Sequence, residues 1–206
     1  MSGAHPSAGL REAWGNGLKE EVRRSAIAFA VIWMLVFAVC MAIPELRIRL
    51  ADFMFSTLNG LDAAGENGSI SALALFFNNI EVSAFIMLYG LIPFVQLTAL
   101  ALGVNAMFLG VMAAWYAAEG VSPLAYFAAL LPHGIFELPA LFLAFGTGLY
   151  ICGQLTRRCR KDPDACSLWM CLTLASRMLL SVLVPMLAAA AVIEAYVTPA
   201  IAAHFF

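Results

Sequence analysis

Charged residues are scarce in this sequence: lysine, arginine, aspartate and glutamate together make up 12% of the 206 residues. A soluble globular domain has about 25% of such residues. The hydrophobic share is 63% and the mean hydropathy is +0.90, so the chain has more apolar surface than its own core can bury. The shortage of charge excludes an ordinary soluble domain and predicts that lipid solvates part of the chain.

The sequence also lacks an excess of positive charge and a paired cysteine pattern. The formal net charge is −2, which gives no reason to expect nucleic acid as a partner. Cysteines number five, an odd count that does not indicate a disulfide framework. Cys159 and Cys166 flank the basic loop RRCRKDPDA, but their spacing is not that of a zinc motif.

Long apolar runs are what the sequence does have, and they predict an all-α protein, a polytopic membrane helix bundle. Residues 1–24 are polar and form a cytoplasmic N-terminal segment rather than a cleavable signal. Residues 25–206 form a single membrane domain. Five transmembrane helices are expected at about 25–43, 70–90, 92–118, 135–154 and 168–195.

Basic residues are distributed unevenly between the two sides of this arrangement. Four lysines and arginines lie in the N-terminal segment and four follow the fourth span, whereas only Arg47 and Arg49 lie in loops on the other side. Because basic loops stay in the cytoplasm, the count predicts a cytoplasmic N-terminus and an external C-terminus.

The stretch LLPHGIFELPA, residues 130–140, places helix-breaking and polar residues inside apolar sequence. Residues 122–131 are too few to span a membrane, and Pro132-His133-Gly134 is typical of a turn. We therefore expect a short re-entrant or interfacial half-helix before the fourth span. His133 and Glu137 would share a helix face, but two ligands are too few for a catalytic metal, so no metal or other cofactor is predicted.

Seven polar residues in or near the spans are expected to form a buried polar cluster, because lipid cannot solvate them. They are Asn78, Asn79, Asn105, His133, Glu137, Arg177 and Glu194. Their side chains could connect helices through hydrogen bonds worth about 0.6 kcal/mol each. They could equally line a path for a solute or for protons, and the residues alone leave both alternatives open.

Four segments between about residues 70 and 200 resemble the stage II sporulation protein M family of bacterial and archaeal membrane proteins. The segments are FFNNIEVSAFIMLYG, GVNAMFLG, LLPHGIFELPALFLAFGTGLYI and AVIEAYVTP. LPHGxxE is the most specific of the motifs, and the double asparagine and the late glutamate support it. The first 69 residues resemble the family only in kind. The family assigns no chemistry to the motif positions.

The resemblance implies a non-enzymatic, multi-pass protein of a bacterial or archaeal cell membrane. Its implied role is that of a scaffold or regulator of cell-envelope machinery that remodels peptidoglycan, with no catalytic residues. The implied partners are the lipid bilayer and an envelope or membrane protein, and a homo-oligomer is an open alternative. A transporter or permease-like subunit that moves a small solute or lipid through a polar recess is the alternative function, because buried charges fit that class.

Overall fold

The computed structural model describes residues 8–59 and 72–202, and these residues are almost entirely helical. The helices are α1 (Ala8–Ala13), α2 (Lys19–Ala42), α3 (Pro44–Asn59), α4 (Ala72–Tyr89), α5 (Leu97–Ala118), α6 (Pro123–Cys159), α7 (Leu168–Met178), α8 (Val184–Tyr196) and α9 (Thr198–Ala202). No strand occurs in these two described segments. The predicted all-α class is confirmed.

Within residues 8–59 and 72–202, five helical stretches are long and apolar enough to cross a membrane. They are Gly9–Ala42, Ala72–Tyr89, Leu97–Ala118, Pro123–Cys159 and Leu168–Ile201. The first contains a kink at Trp14–Leu18, where the backbone angles of Asn16 and Gly17 are not helical. The last contains a π-helical turn at Leu179–Leu183, just before Pro185, whose ring and missing N–H perturb the preceding helical turn. The prediction of five membrane-spanning helices is confirmed.

Helix α6 differs from the half-helix and turn that the sequence predicted. It is continuous from Pro123 to Cys159, with Pro132 and Pro139 inside it. Its start is set by Ser122, whose Oγ accepts a hydrogen bond from the backbone N–H of Ala125 at 3.1 Å. An internal proline removes one backbone hydrogen bond, but a membrane helix can continue through it where neighbouring groups or small adjustments of the helix satisfy the freed carbonyl. The predicted re-entrant segment is therefore wrong, and the helix that contains the fourth span begins at Pro123.

Helix α6 is also the central helix of the bundle, in contact with α2, α4, α5 and α8. At the rise of an α-helix its 37 residues extend over about 55 Å. Small residues let neighbouring helices approach its second half closely, as is usual in membranes. A Cβ atom at Gly148 would lie 2.7 Å from the carbonyl oxygen of Ile86 and 2.8 Å from the side chain of Thr98. This half of the bundle is consequently closely packed.

Helix α3 follows the first span and packs against α2 and α5. Ala51 and Met54 are fully buried, whereas Phe53 is exposed on another face. The ring of Phe55 meets that of Trp115 edge-on, with centroids 5.9 Å apart. The helix therefore covers the end of the bundle at which α5 finishes.

The loop between α6 and α7 is held by hydrogen bonds to its acidic residues. Arg157 Nε donates to Asp162 Oδ2 at 2.8 Å, and the backbone N–H of Asp164 donates to Asp162 Oδ1 at 3.0 Å. The Arg157 guanidinium holds the pKa of the Asp162 carboxyl below its ordinary value. Cys159, next to this loop, is the exposed cysteine of the described chain.

Thiol labelling tests the predicted orientation. A membrane-impermeant maleimide added to intact cells is expected to leave Cys159 unmodified, because the basic loop beside it is predicted to be cytoplasmic. The matched variant combines Cys159→Ser with Glu119→Cys, which places one exposed thiol at the end of α5, at the opposite end of α6 from Cys159. This variant should be labelled. Modification of Cys159 without modification at position 119 would reverse the orientation.

Candidate functional site

A cavity of about 740 Å³ lies between helices α2, α3, α5, α6 and α8. Apolar side chains such as Phe29 and Met54 form part of its wall. The polar side chains that line it are Asn105, Tyr116, Tyr126, His133, Glu137 and Glu194. No lysine or arginine is among the described residues that line the cavity. Its polar part is therefore acidic.

One face of α6 supplies half of the polar side chains in the wall. Tyr126, Leu130, His133, Glu137 and Leu141 recur every three or four residues, so they lie along the same side of the helix. The unbroken course of α6 is what keeps them in line. A turn at residues 132–134 would have rotated the tyrosine away from the histidine and the glutamate.

His133, Glu137 and Glu194 form a cluster within this cavity. One ring nitrogen of the histidine and one carboxylate oxygen of each glutamate lie within 4.8 Å of one another. All three residues are partly buried. Nδ1 of His133 also lies 3.2 Å from Oγ1 of Thr198, the first residue of α9. The cluster thus joins the middle of α6 to the end of the last span.

Asn105, Tyr116 and Tyr126 are the other polar side chains of the wall. Asn105 Nδ2 donates to the carbonyl of Ala101 at 2.9 Å, which fixes the amide against its own helix. The hydroxyl oxygen of Tyr126 is buried and has no hydrogen-bond partner among the described residues. Leaving a buried hydroxyl unpaired costs about 1–3 kcal/mol. Water or a ligand in the cavity could satisfy it.

The other predicted cluster residues lie elsewhere. Asn78 is exposed on α4 and its Nδ2 lies 3.5 Å from Oδ1 of Asn79, which is partly buried. Arg177, on α7, packs against the N-terminal helix, where a Cβ at Gly9 would lie 2.9 Å from a guanidinium nitrogen. None of the three lines the cavity. Adjacent residues of a helix point about 100° apart, so Asn78 and Asn79 cannot both face the interior. Asn78 is the one that is exposed, and the expectation that it faces the interior is wrong.

The cluster carries two carboxyl groups and one imidazole, and no lysine or arginine is among the described residues that line the cavity around them. The ion pairs between described residues are Arg23–Glu20, Arg24–Glu21 and Arg157–Asp162, all of them outside the cavity. Carboxylates within a membrane protein must be neutralised by protons or by a cation. The arrangement can therefore bind positive charge.

Five apolar helices with an acidic cavity between them define a multi-span integral membrane protein. The family model described as stage II sporulation protein M matches residues 15–199, and the chain belongs to this family. The match includes the cluster residues on α6 and α8. Comparisons with curated proteins and with solved structures give no match.

Proposed function

We propose that the protein binds a small solute in its intramembrane cavity and works as a transporter or permease-like subunit of the cell membrane, with its N-terminus in the cytoplasm. The meeting of His133, Glu137 and Glu194 within apolar helices carries this proposal. A charged side chain at the centre of a bilayer costs about 2.5–3.5 kcal/mol on insertion scales. A bundle with a purely structural role would be more stable with apolar residues at these positions. The acidic groups therefore favour a role in binding a solute.

The division of α6 into two unlike halves supports the same proposal. Its first half, from Tyr126 to Leu141, lines the cavity. Its second half is buried from Ala144 to Gly148 and is packed tightly against α4 and α5. A recess that ends at a close-packed seal corresponds to one state of a protein that exposes its site to one side of the membrane at a time.

A scaffold for cell-envelope machinery is the second candidate, and family membership favours it. Helices α2 and α4 leave large apolar faces uncovered, since only 17% of the most apolar stretch of each is buried. Such faces fit lipid, a membrane-protein partner or a second copy of this chain. Both candidates are non-enzymatic. Reproducible recovery of an envelope enzyme with the wild type and with Glu137→Gln alike would favour the scaffold.

Flux into proteoliposomes tests the transport proposal. Vesicles loaded with pyranine report protons, and vesicles loaded with calcein report divalent cations. The wild type is expected to accelerate the signal of one dye over protein-free vesicles, and Glu137→Gln to abolish that acceleration because the cavity loses a charge. Glu81→Gln is the matched control, since Glu81 is an exposed carboxyl on α4 outside the cavity. Wild-type rates equal to those of protein-free vesicles with both dyes would contradict the proposal.

A further inference from the structure

We infer that His133, Glu137 and Glu194 form a binding site for a divalent transition-metal cation, with Zn²⁺ and Mn²⁺ as the ions that suit it. The inference rests on the proposed function and deepens it by naming the chemistry of the solute. Binding itself, however, can be measured without any transport. The site joins α6 to α8, so an ion held there would connect the central helix to the last span.

The donor set selects the class of ion. One imidazole nitrogen and two carboxylate oxygens are ligands that Zn²⁺ and Mn²⁺ accept together. Ca²⁺ and Mg²⁺ favour sites made of oxygen ligands alone. Three protein ligands leave at least one coordination position for water or for a further donor, as in zinc sites that remain open. The set is therefore suited to an ion that exchanges rather than one that is locked into the fold.

The geometry is close to that of a coordinated ion. A tetrahedral site with bonds of about 2.1 Å brings its donor atoms to about 3.4 Å from one another. The three donor atoms already lie within 4.8 Å. His133 and Glu137 are one helical turn apart, which is a spacing that metal sites on helices use. Glu194 reaches the same point from α8, and rotation of the flexible glutamate side chains can close the remaining gap.

Thr198 provides support that does not depend on the carboxylates. Its Oγ1 lies 3.2 Å from Nδ1 of His133. When the proton is on Nδ1, the imidazole donates it to the threonine hydroxyl and leaves the lone pair of Nε2 free for a metal. Histidines that bind metals usually have such a partner on the other ring nitrogen, which fixes the tautomer and the ring orientation.

The charge of the lining residues and the volume of the cavity both suit a hydrated divalent ion. Two ionised carboxylates with no lysine or arginine beside them carry a charge that one divalent cation offsets. A water molecule takes up about 30 Å³ in the liquid, so the cavity has room for an ion with several waters. The buried hydroxyl of Tyr126 has no protein partner among the described residues and can bond to such a water.

Equilibrium binding to the purified full-length protein tests the inference. The protein is prepared without a polyhistidine tag, treated with a chelator, and titrated separately with Zn²⁺ and Mn²⁺ by calorimetry. The wild type should bind about one ion per chain. His133→Ala, Glu137→Gln and Glu194→Gln should each weaken binding by about tenfold or more, whereas Glu81→Gln should bind as the wild type does. Elution volume in gel filtration shows whether each variant is folded.

Thr198→Val tests the site even if a variant of one of the three metal-binding residues fails to fold. It preserves the shape of the side chain, removes the partner of Nδ1, and should weaken binding by about tenfold. Equal affinity in Glu194→Gln and Glu81→Gln, or binding of Mg²⁺ in preference to Zn²⁺ and Mn²⁺, would overturn the inference. Binding without flux would leave the site standing and remove the transport proposal. Flux without binding of either ion would retain transport and remove the metal site.

Discussion

Gly90→Ala is expected to lower the stability of the protein in detergent by about 3 kcal/mol, the upper end of the range for overpacking. A Cβ atom at Gly90 would overlap the carbonyl oxygen of Gly148 and lie 2.8 Å from the carbonyl carbon. These atoms belong to the backbone of α6, so no side-chain rotation relieves the clash. Either α4 separates from α6 or the start of the α4–α5 connection shifts. The midpoint of thermal unfolding in detergent measures the loss.

Gly103→Ala on α5 is the matched control for the same added methyl group. Among the described residues, no atom outside the neighbouring backbone of α5 lies within 4 Å of a Cβ built at Gly103. Alanine in a helix is favoured over glycine by about 0.5–1 kcal/mol, so this variant should unfold at the wild-type temperature or above it. Equal unfolding midpoints for the two variants would show that α4 and α6 are not held as closely as described. The second half of α6 would then not close the cavity tightly against α4.

The number of spans could be predicted from hydropathy because the bilayer imposes a length on every crossing helix. The course of α6 could not, although its start was visible in Ser122-Pro123, a good cap followed by a proline in the first turn. Pro132-His133-Gly134 looked like a stronger break. In water such a sequence would end a helix. In a membrane bundle, neighbouring helices can satisfy the backbone carbonyl that loses its hydrogen bond at the proline.

Two of the three cluster residues could be placed together from the sequence, and the third could not. His133 and Glu137 are four residues apart, so any helix places them together. Glu194 joins them only because α8 packs against α6 in one particular register, and sequence spacing does not encode that register. The single clue was an acidic residue in an otherwise apolar span. Asn78 gave the same clue and is exposed, which shows how little a lone polar residue specifies.

Glu194→Gln is expected to stabilise the metal-free protein by about 2 kcal/mol at neutral pH, near the insertion cost of one charged side chain within a membrane. In the wild type, Glu194 and Glu137 approach each other beside His133, and no lysine or arginine is among the described residues that line the cavity. The pair is disfavoured by mutual repulsion when ionised. The amide keeps the shape of the carboxyl group and removes that repulsion. Residues that serve a function commonly reduce stability in this way.

Thermal unfolding with a chelator present, repeated across pH, distinguishes this cause from a general effect of the amide. Repulsion requires ionised carboxyl groups, so the advantage of Glu194→Gln should grow as the pH rises and disappear in acid. Glu119→Gln should show no such trend, because Glu119 is exposed just beyond the end of α5 and lies apart from the cluster. With saturating Zn²⁺ the wild type should become more stable than Glu194→Gln. An ion that binds only the folded state stabilises the protein that binds it more tightly by the larger amount. If Glu194→Gln were less stable than the wild type in chelator at every pH, a favourable hydrogen bond to Glu137 or an ion pair with protonated His133 would outweigh the repulsion, and the prediction would be wrong.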